Sequence, residues 1–130
     1  MTIFDTKLER LASEHEALLS RPNAIDEDWD NGLYHRYRYP VLTRKHAPLF
    51  WRYDLDSEAN PYLMERLGIN AIFNPGALYR DGEVYLMCRM EGLDRKSFFA
   101  VAESATGTDQ FRFWPEPVCI PSNDGEETNL

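Results

Sequence analysis

The sequence is poor in cysteine and contains no long apolar run. Its two cysteines, Cys88 and Cys119, are far apart and show no CxxC spacing, which argues against a zinc ribbon or a dithiol redox pair. We expect two buried, reduced thiols and not a disulfide. The N-terminal residues carry acidic side chains early and lack the apolar core of a signal peptide, and no segment has the apolar length of a transmembrane helix. These absences predict a cytoplasmic protein with no membrane partner.

Positive charge is also scarce. The chain has 14 Lys and Arg residues against 22 Asp and Glu residues, for a net charge of −8. Binding to nucleic acid requires a basic stripe that displaces counterions from phosphates, so we expect no nucleic-acid partner. The three histidines, His15, His35 and His46, have no HxxxH spacing and no neighbouring cysteine, which predicts no metal site. The glycine-rich and nucleophile motifs of common cofactor-binding and hydrolase sites are missing as well, so we expect no cofactor.

What the chain does have is enough apolar sequence for one packed domain. Apolar residues make up 43% and aromatic residues 13% of 130 residues, which is typical of a globular chain. One apolar stripe at three- and four-residue spacing predicts an amphipathic helix near residues 5 to 20. The stripe contains Leu8, Leu11, Ala12, His15, Leu18 and Leu19. We expect Asp5 or Thr6 to cap it, Pro22 to follow its end, and its apolar side to pack on its own domain; the alternative is a subunit contact in a homo-oligomer.

Residues 22 to 68 show no clean period, which predicts mostly loop with short strands. This stretch is rich in aromatic side chains, and they are Tyr34, Tyr37, Tyr39, Phe50, Trp51 and Tyr53. Such clusters usually belong to a core, although aromatic faces also stack on sugar rings. We assign residues 1 to 40 to the N-terminal helix and its extension.

The pattern changes at Ile69 to short apolar runs separated by turn signals. The runs cover residues 71–73, 77–79, 84–88, 98–102 and 111–114. Asp81-Gly82 is a tight-turn signal, because both residues tolerate a positive φ angle. This spacing predicts an antiparallel sheet of about four strands over residues 69 to 121, and hence an all-β fold class. A single such sheet has open edges and an uncovered face, so we expect it to be part of a larger structure.

Arg89 ends the apolar run 84–88. A guanidinium at the end of a buried strand is costly unless it has a partner. One interpretation is an ion pair with Glu91 or Asp94 that fixes the following loop. The other is that Arg89 binds a polar ligand, since its fork of donors suits vicinal hydroxyls, carboxylate or phosphate.

Asn74 stands between two apolar pieces and is followed by Pro75, which cannot donate to a strand ladder. A β-bulge in which Asn74 bonds its own backbone is the simpler interpretation. The functional interpretation is an amide that presents a donor and an acceptor to sugar hydroxyls. For the loop 94–97 we expect a solvated turn, with Lys96 in solvent.

Four short motifs follow one another in the second half of the chain. They are FNPGA at 73–77, VYLMCRMEG at 84–92, AES at 102–104 and ETNL at 127–130. In order and spacing this set resembles glycoside hydrolase family 130. The resemblance implies a five-bladed β-propeller, of which residues 41 to 130 are the incomplete first-blade region after an N-terminal α-helical extension. It implies inverting phosphorolysis of a β-mannosyl-glucose disaccharide, with inorganic phosphate as co-substrate and α-D-mannose 1-phosphate as product.

The resemblance also implies roles for particular residues. Asn74 and Arg89 are expected to bind the mannosyl unit, and the same role extends to Asp94 and Arg95, in a loop that varies between subgroups. The catalytic aspartate is expected just beyond Leu130, and the phosphate ligands in later blades, so residues 1 to 130 should be inactive alone. Two alternatives within the family are a β-1,4-mannooligosaccharide phosphorylase and a β-mannoside hydrolase. An alternative of another class is a non-catalytic carbohydrate-binding or assembly module.

Overall fold

The protein is described by a computed structural model that covers residues 1–29, 31–121 and 127–128, with residues 120–121 and 127–128 described by their backbone alone. Helix α1 spans Ile3–Ser20. Thr2 caps it: the Thr2 hydroxyl accepts the Asp5 N–H at 3.1 Å, and the Asp5 carboxylate accepts the Thr2 N–H at 3.2 Å. The prediction that Asp5 or Thr6 is the cap is therefore wrong, because this reciprocal capping box starts the helix earlier. Its end before Pro22 is confirmed.

Helix α1 packs on its own domain, as predicted. Phe4 is buried with Tyr53 and Leu63 in a small apolar cluster, against which Leu8 and Leu11 also pack. A second attachment is polar. The guanidinium of Arg112 donates two hydrogen bonds to the carboxylate of Glu16, at 2.7 and 3.0 Å. A contact between subunits through α1 stays a prediction.

The segment from 22 to 68 folds around two short helical elements. A 3₁₀-helix spans Arg44–His46 and helix α2 spans Leu49–Arg52, while Ile25 and Tyr37 form an isolated antiparallel bridge. The expected short strands are wrong for the described residues of this segment. No helix in the described part of the chain combines the length and apolar character needed to cross a membrane.

The aromatic side chains of this segment do not form one core cluster. Tyr53 is buried, and Trp51 is half-buried with its ring at 5.7 Å from that of Phe98 and 5.8 Å from that of Phe113. The other four are between 40% and 61% exposed, and they are Tyr34, Tyr37, Tyr39 and Phe50. The expectation that the cluster belongs to the core is therefore correct only for Trp51, which packs on the sheet, and Tyr53, which packs beneath α1.

Four antiparallel strands in sequential order form the main sheet, which confirms the predicted meander. They are β1 (Ile69–Arg80), β2 (Glu83–Gly92), β3 (Ser97–Ser104) and β4 (Arg112–Phe113). The β1–β2 turn has positive φ angles at Asp81 (53°) and Gly82 (84°), as the Asp-Gly signal predicted. Strands β5 (Ile120–Pro121) and β6 (Glu127–Thr128) pair separately. The ETNL motif lies partly outside the described residues, since Asn129 and Leu130 are not among them.

The core lies on one face of the sheet. Leu86, Cys88 and Met90 of β2 are buried there with Ala100 and Ala102 of β3, while the alternate residues of both strands face the other way. Only alternate side chains of the apolar run 84–88 therefore enter the core. Cys88 is a buried free thiol, as predicted; Cys119 is exposed, so the expectation of a second buried thiol is wrong.

We predict that His46 makes the fold sensitive to mild acid. His46 is buried, and its Nδ1 accepts the backbone N–H of Thr43 at 2.9 Å. Burial lowers the pKa of His46 from 6.5 to about 4. Below pH 6.5 the unfolded chain binds a proton at this imidazole while the native chain does not, so stability falls as the pH drops from 6.5 towards 4.

The measurement is urea unfolding of the purified protein between pH 7.5 and pH 4.5. The loss assigned to His46 is at most about 3 kcal/mol, since each pKa unit corresponds to roughly 1.4 kcal/mol. In His46→Gln, whose amide oxygen still offers an acceptor, the loss between pH 7 and pH 5 should shrink. An unchanged slope in this variant would show that other groups cause the pH dependence.

We predict that Asn60 is essential for the order of the loop before the sheet. Its side chain is fully buried and makes three hydrogen bonds to backbone groups: Nδ2 donates to Asp54 O at 3.0 Å and to Met64 O at 2.9 Å, and Oδ1 accepts the Met64 N–H at 3.0 Å. Asn60→Ala leaves these groups unpaired and should lower the free energy of unfolding by about 2–4 kcal/mol. The control is Asn70→Ala, which removes one exposed side-chain hydrogen bond. Equal losses for the two variants would refute the assignment.

Candidate functional site

The candidate site begins at an irregularity in β1. The β1–β2 register shifts between the pairs Phe73–Arg89 and Gly76–Met87, so Asn74 and Pro75 occupy a bulge. This confirms the predicted bulge and follows from Pro75, which has no N–H to give to the ladder. The Asn74 side chain is exposed and makes no hydrogen bond to any other described residue. The interpretation in which it bonds its own backbone is therefore wrong, and its amide is available to a ligand.

Arg89 lies directly across from the residue that precedes the bulge. It points away from the core, because its neighbours Cys88 and Met90 take the buried positions of β2. Its guanidinium carbon lies 4.5 Å from the centre of the Phe73 ring, a cation–π contact. Arg89 thus projects from the face of the sheet opposite the core, across the ladder from the residue that precedes Asn74.

The expected ion pair of Arg89 is absent from the described residues. The carboxylate of Glu91 accepts the side-chain N–H of Asn70 at 2.6 Å, and Asp94 Oδ1 accepts the backbone N–H of Lys96 at 3.0 Å. The interpretation of Arg89 as a partner of Glu91 or Asp94 is therefore wrong. Its guanidinium donors are free of protein acceptors in the described part of the chain, which leaves them available for a polar ligand.

Asp94 and Arg95 lie in the turn between β2 and β3. The turn is closed by hydrogen bonds from Gly92 N–H to Lys96 O at 3.1 Å and from Arg95 N–H to Gly92 O at 3.0 Å. The side chains at 94, 95 and 96 are exposed. Arg95 has a φ angle of +64°, a left-handed conformation that costs a residue with a side chain roughly 1–2 kcal/mol. A non-glycine residue kept in such a conformation is more often found at functional positions.

Asp94 also lines a groove at the core side of the sheet. The groove has a volume of about 700 Å³, and its walls include Trp51, Phe98 and Lys96. Neither Asn74 nor Arg89 belongs to its lining. The structure therefore places Asn74 in the bulge of β1 and Arg89 on the facing strand β2, while Asp94 lines a separate groove and Arg95 lies in the turn beside it.

One charged cluster was not singled out from the sequence. The carboxylate of Glu65 accepts hydrogen bonds from the guanidinium groups of Arg44 and Arg52. Burial alone would raise the pKa of Glu65, but the hydrogen bonds and positive charges of the two arginines outweigh it and hold the pKa below its usual value. No periodic or motif signal links residues so irregularly spaced in a loop.

Exposed amide and guanidinium groups beside an aromatic ring suit a class of protein that binds hydroxyl-rich ligands, and the chain is similar in sequence to one such protein, a glycoside phosphorylase. This relative is 4-O-beta-D-mannosyl-D-glucose phosphorylase of Bacteroides fragilis. The identity is 54% over 130 residues, which are 100% of this chain and 33% of the relative. The chain thus spans about a third of the length of the curated relative it matches. No family model matches the chain. The similarity confirms the resemblance that the four motifs predicted.

We predict that the Arg95 backbone carries measurable strain. Arg95→Gly should raise the free energy of unfolding by about 0.5 kcal/mol, because relief of the left-handed conformation exceeds the entropy that glycine adds to the unfolded chain. Arg95→Ala keeps the strain and removes the same side chain, so it should give no gain. Urea unfolding of both variants measures the difference. A glycine variant that is less stable than the alanine variant would contradict the assignment.

Proposed function

We propose that this chain contributes to an inverting glycoside phosphorylase acting on 4-O-β-D-mannosyl-D-glucose. In this reaction a phosphate oxygen forms a bond to the anomeric carbon while the bond from that carbon to O4 of glucose breaks. A carboxylic acid gives its proton to the departing oxygen. The products are α-D-mannose 1-phosphate and D-glucose. The observation that carries the proposal is the guanidinium of Arg89, which stacks on Phe73 next to the bulge that holds Asn74, in a chain 54% identical to a phosphorylase of that name.

In this proposal Asn74 and Arg89 hold the mannosyl unit and do not transfer protons. The Asn74 amide can donate to one hydroxyl and accept from another, and the Arg89 guanidinium can donate to two vicinal oxygens. Stacking on Phe73 at 4.5 Å supports this role, because it restricts the guanidinium before the ligand binds. Asp94 and Arg95 are proposed as further substrate contacts from the adjacent turn.

The proposed reaction needs an acid and a set of phosphate ligands in addition to these four residues. Among the described residues we assign neither the acid nor the phosphate ligands of this reaction. The similar phosphorylase is about three times as long as this chain. We therefore place both groups in the remainder of such a protein. A β-1,4-mannooligosaccharide phosphorylase or a β-mannoside hydrolase remains an alternative, since the acceptor contacts decide between them.

The same proposal includes the propeller. The sheet β1–β4 is a four-stranded antiparallel meander, as a propeller blade is. Its open face carries exposed apolar side chains, and these include Leu78, Met87 and Trp114. Together with parts of Tyr85 and Val101 they line a surface depression of about 670 Å³. A neighbouring blade that packs on this face would remove that apolar area from water. We also propose a cytoplasmic location, which the reduced thiol of Cys88 supports.

A second candidate function is a non-catalytic carbohydrate-binding module. It is favoured by the exposed tyrosines of the extension, of which Tyr34 is 61% exposed and lies with its ring 5.2 Å from that of Trp29. Such a module would bind β-mannosides without phosphate and without turnover. Titration of the full-length protein with mannosylglucose, followed by an assay for sugar phosphate after phosphate is added, separates the two functions.

We predict that Arg89→Ala in the full-length protein lowers kcat/KM for mannosylglucose phosphorolysis. The corresponding activation free energy should rise by roughly 2–4 kcal/mol, the range for truncating a charged partner of a bound group. Arg89→Lys, which keeps the charge and loses the fork, should recover part of this loss. The matched control is Arg80→Ala, which removes another exposed arginine of the same hairpin, paired only with Asp81 at 3.6 Å. Sugar phosphate release is the readout. An Arg89→Ala enzyme with unchanged kcat/KM would remove Arg89 from the site.

A further inference from the structure

A second polar cavity lies on the other side of the core, between α1 and the irregular segment that follows it. Its volume is about 270 Å³. The charged and titratable groups of its lining are Glu14, His15, Arg44, Lys45, Arg52 and Glu65. Arg89 projects from the opposite face of the sheet, so this cavity is separate from the candidate mannosyl site.

Two of the cations in this cavity share a single carboxylate. Arg52 is buried; its Nε donates to Glu65 Oε1 at 3.1 Å and its Nη2 donates to Glu65 Oε2 at 3.4 Å, while Arg44 donates to Oε1. The phenol of Tyr53 donates to the other oxygen of Glu65 at 3.5 Å. The negative charge of Glu65 is therefore divided between two guanidinium groups, and it does not neutralise both of them.

Lys45 adds a third cation to the lining, and Glu14 adds a second carboxylate. Lys45 forms no ion pair and no side-chain hydrogen bond within the described residues. Glu14 is paired with Arg10 at 3.8 Å, and Arg10 does not line this cavity. His15 uses Nε2 in a contact of 3.4 Å with His46 O, and its Nδ1 has no partner in the described part of the chain. Arg44, Lys45 and Arg52 stand against Glu14 and Glu65, so the lining has a surplus of one positive charge.

We propose that this cavity binds a small oxyanion, of the class to which inorganic phosphate and sulfate belong. The ammonium of Lys45 and the guanidinium N–H groups of Arg44 and Arg52 that Glu65 leaves free are the donors. Charge-assisted hydrogen bonds from such donors are the stronger ones in proteins. A volume of about 270 Å³ accommodates a tetrahedral anion with water, whereas drug-sized ligands occupy cavities of about 300–1,000 Å³.

The anion would bind to the loop that supports the sheet, beside α1. Arg44 and Arg52 precede β1, and Arg44 Nε also donates to Ile69 O at the start of that strand, at 2.7 Å. A bound oxyanion therefore contacts donors of this loop, and its binding stabilises the folded state by mass action.

The test compares two lysine variants of the full-length protein with the unaltered protein in thermal unfolding. Phosphate is added from 0 to 50 mM against chloride at matched ionic strength. Phosphate should raise the melting temperature of the unaltered protein. In Lys45→Gln the phosphate concentration for the half-maximal shift should rise about 10-fold, since one charge-assisted contact is lost. In Lys7→Gln, which removes a half-buried lysine of α1 that lies outside the cavity and donates to Tyr62 O at 3.3 Å, this concentration should not change. Equal behaviour of the two variants overturns the proposal.

A second measurement locates the anion, because a phosphorylase would bind phosphate elsewhere too. Crystals of the full-length protein are soaked in selenate, and the anomalous signal is mapped. A peak within hydrogen-bond distance of Lys45 and Arg52, lost in Lys45→Gln crystals, supports the proposal. Selenate peaks at other sites alone, with this cavity empty, overturn it. Neither outcome depends on whether the protein catalyses phosphorolysis.

Discussion

The two-residue period of β2 is the constraint on which the rest of the structure depends. Leu86, Cys88 and Met90 enter the core, so the residue between the last two, Arg89, must project from the other face. A shift of one residue in the pairing would bury this guanidinium among apolar side chains and expose the apolar ones, and each change is unfavourable. The same alternation that builds the core therefore presents the cation of the candidate site.

The bulge of β1 shifts the pairing with β2 at one point, and the two strands pair on both sides of it. β1 is an edge strand of the sheet, where a residue without an N–H, such as Pro75, is tolerated. Regular pairing resumes at Gly76 and continues up to Arg80 and Glu83. As a consequence the amide of Asn74 is released from the ladder beside Phe73 and Arg89. The bulge also makes this edge a poor template for another strand.

Periodic features of the chain were predictable from its sequence, and features that depend on single buried polar groups were not. Helix α1, the four-strand meander and the Asp81-Gly82 turn follow from spacing and turn chemistry. The helix cap was missed because the capping box begins at Thr2, ahead of the apolar stripe. The order of the segment 22–68 depends on groups such as Asn60, whose partners are backbone atoms that no pattern marks. The prediction that Arg89 ends a buried strand was wrong, because β2 continues to Gly92 and alternates between the core and the open face. Its contact with Phe73 depends on the pairing of β1 with β2, which no sequence pattern fixes.

Arg52 and Arg89 show how environment divides one residue type between two roles. Arg52 is buried and hydrogen-bonded to Glu65, and removal of either partner would leave an uncompensated charge, so this pair belongs to the fold. Arg89 has no counter-ion among the described residues and keeps its donors in water, held by an aromatic ring. Its stacking reduces the rotamer entropy that a ligand would otherwise have to remove. A guanidinium that is held in place but has no counter-ion can bind hydroxyl groups with little change in its own conformation. For this reason the candidate site is assigned to the open face of the sheet, and not to the cluster in which the arginines are most buried.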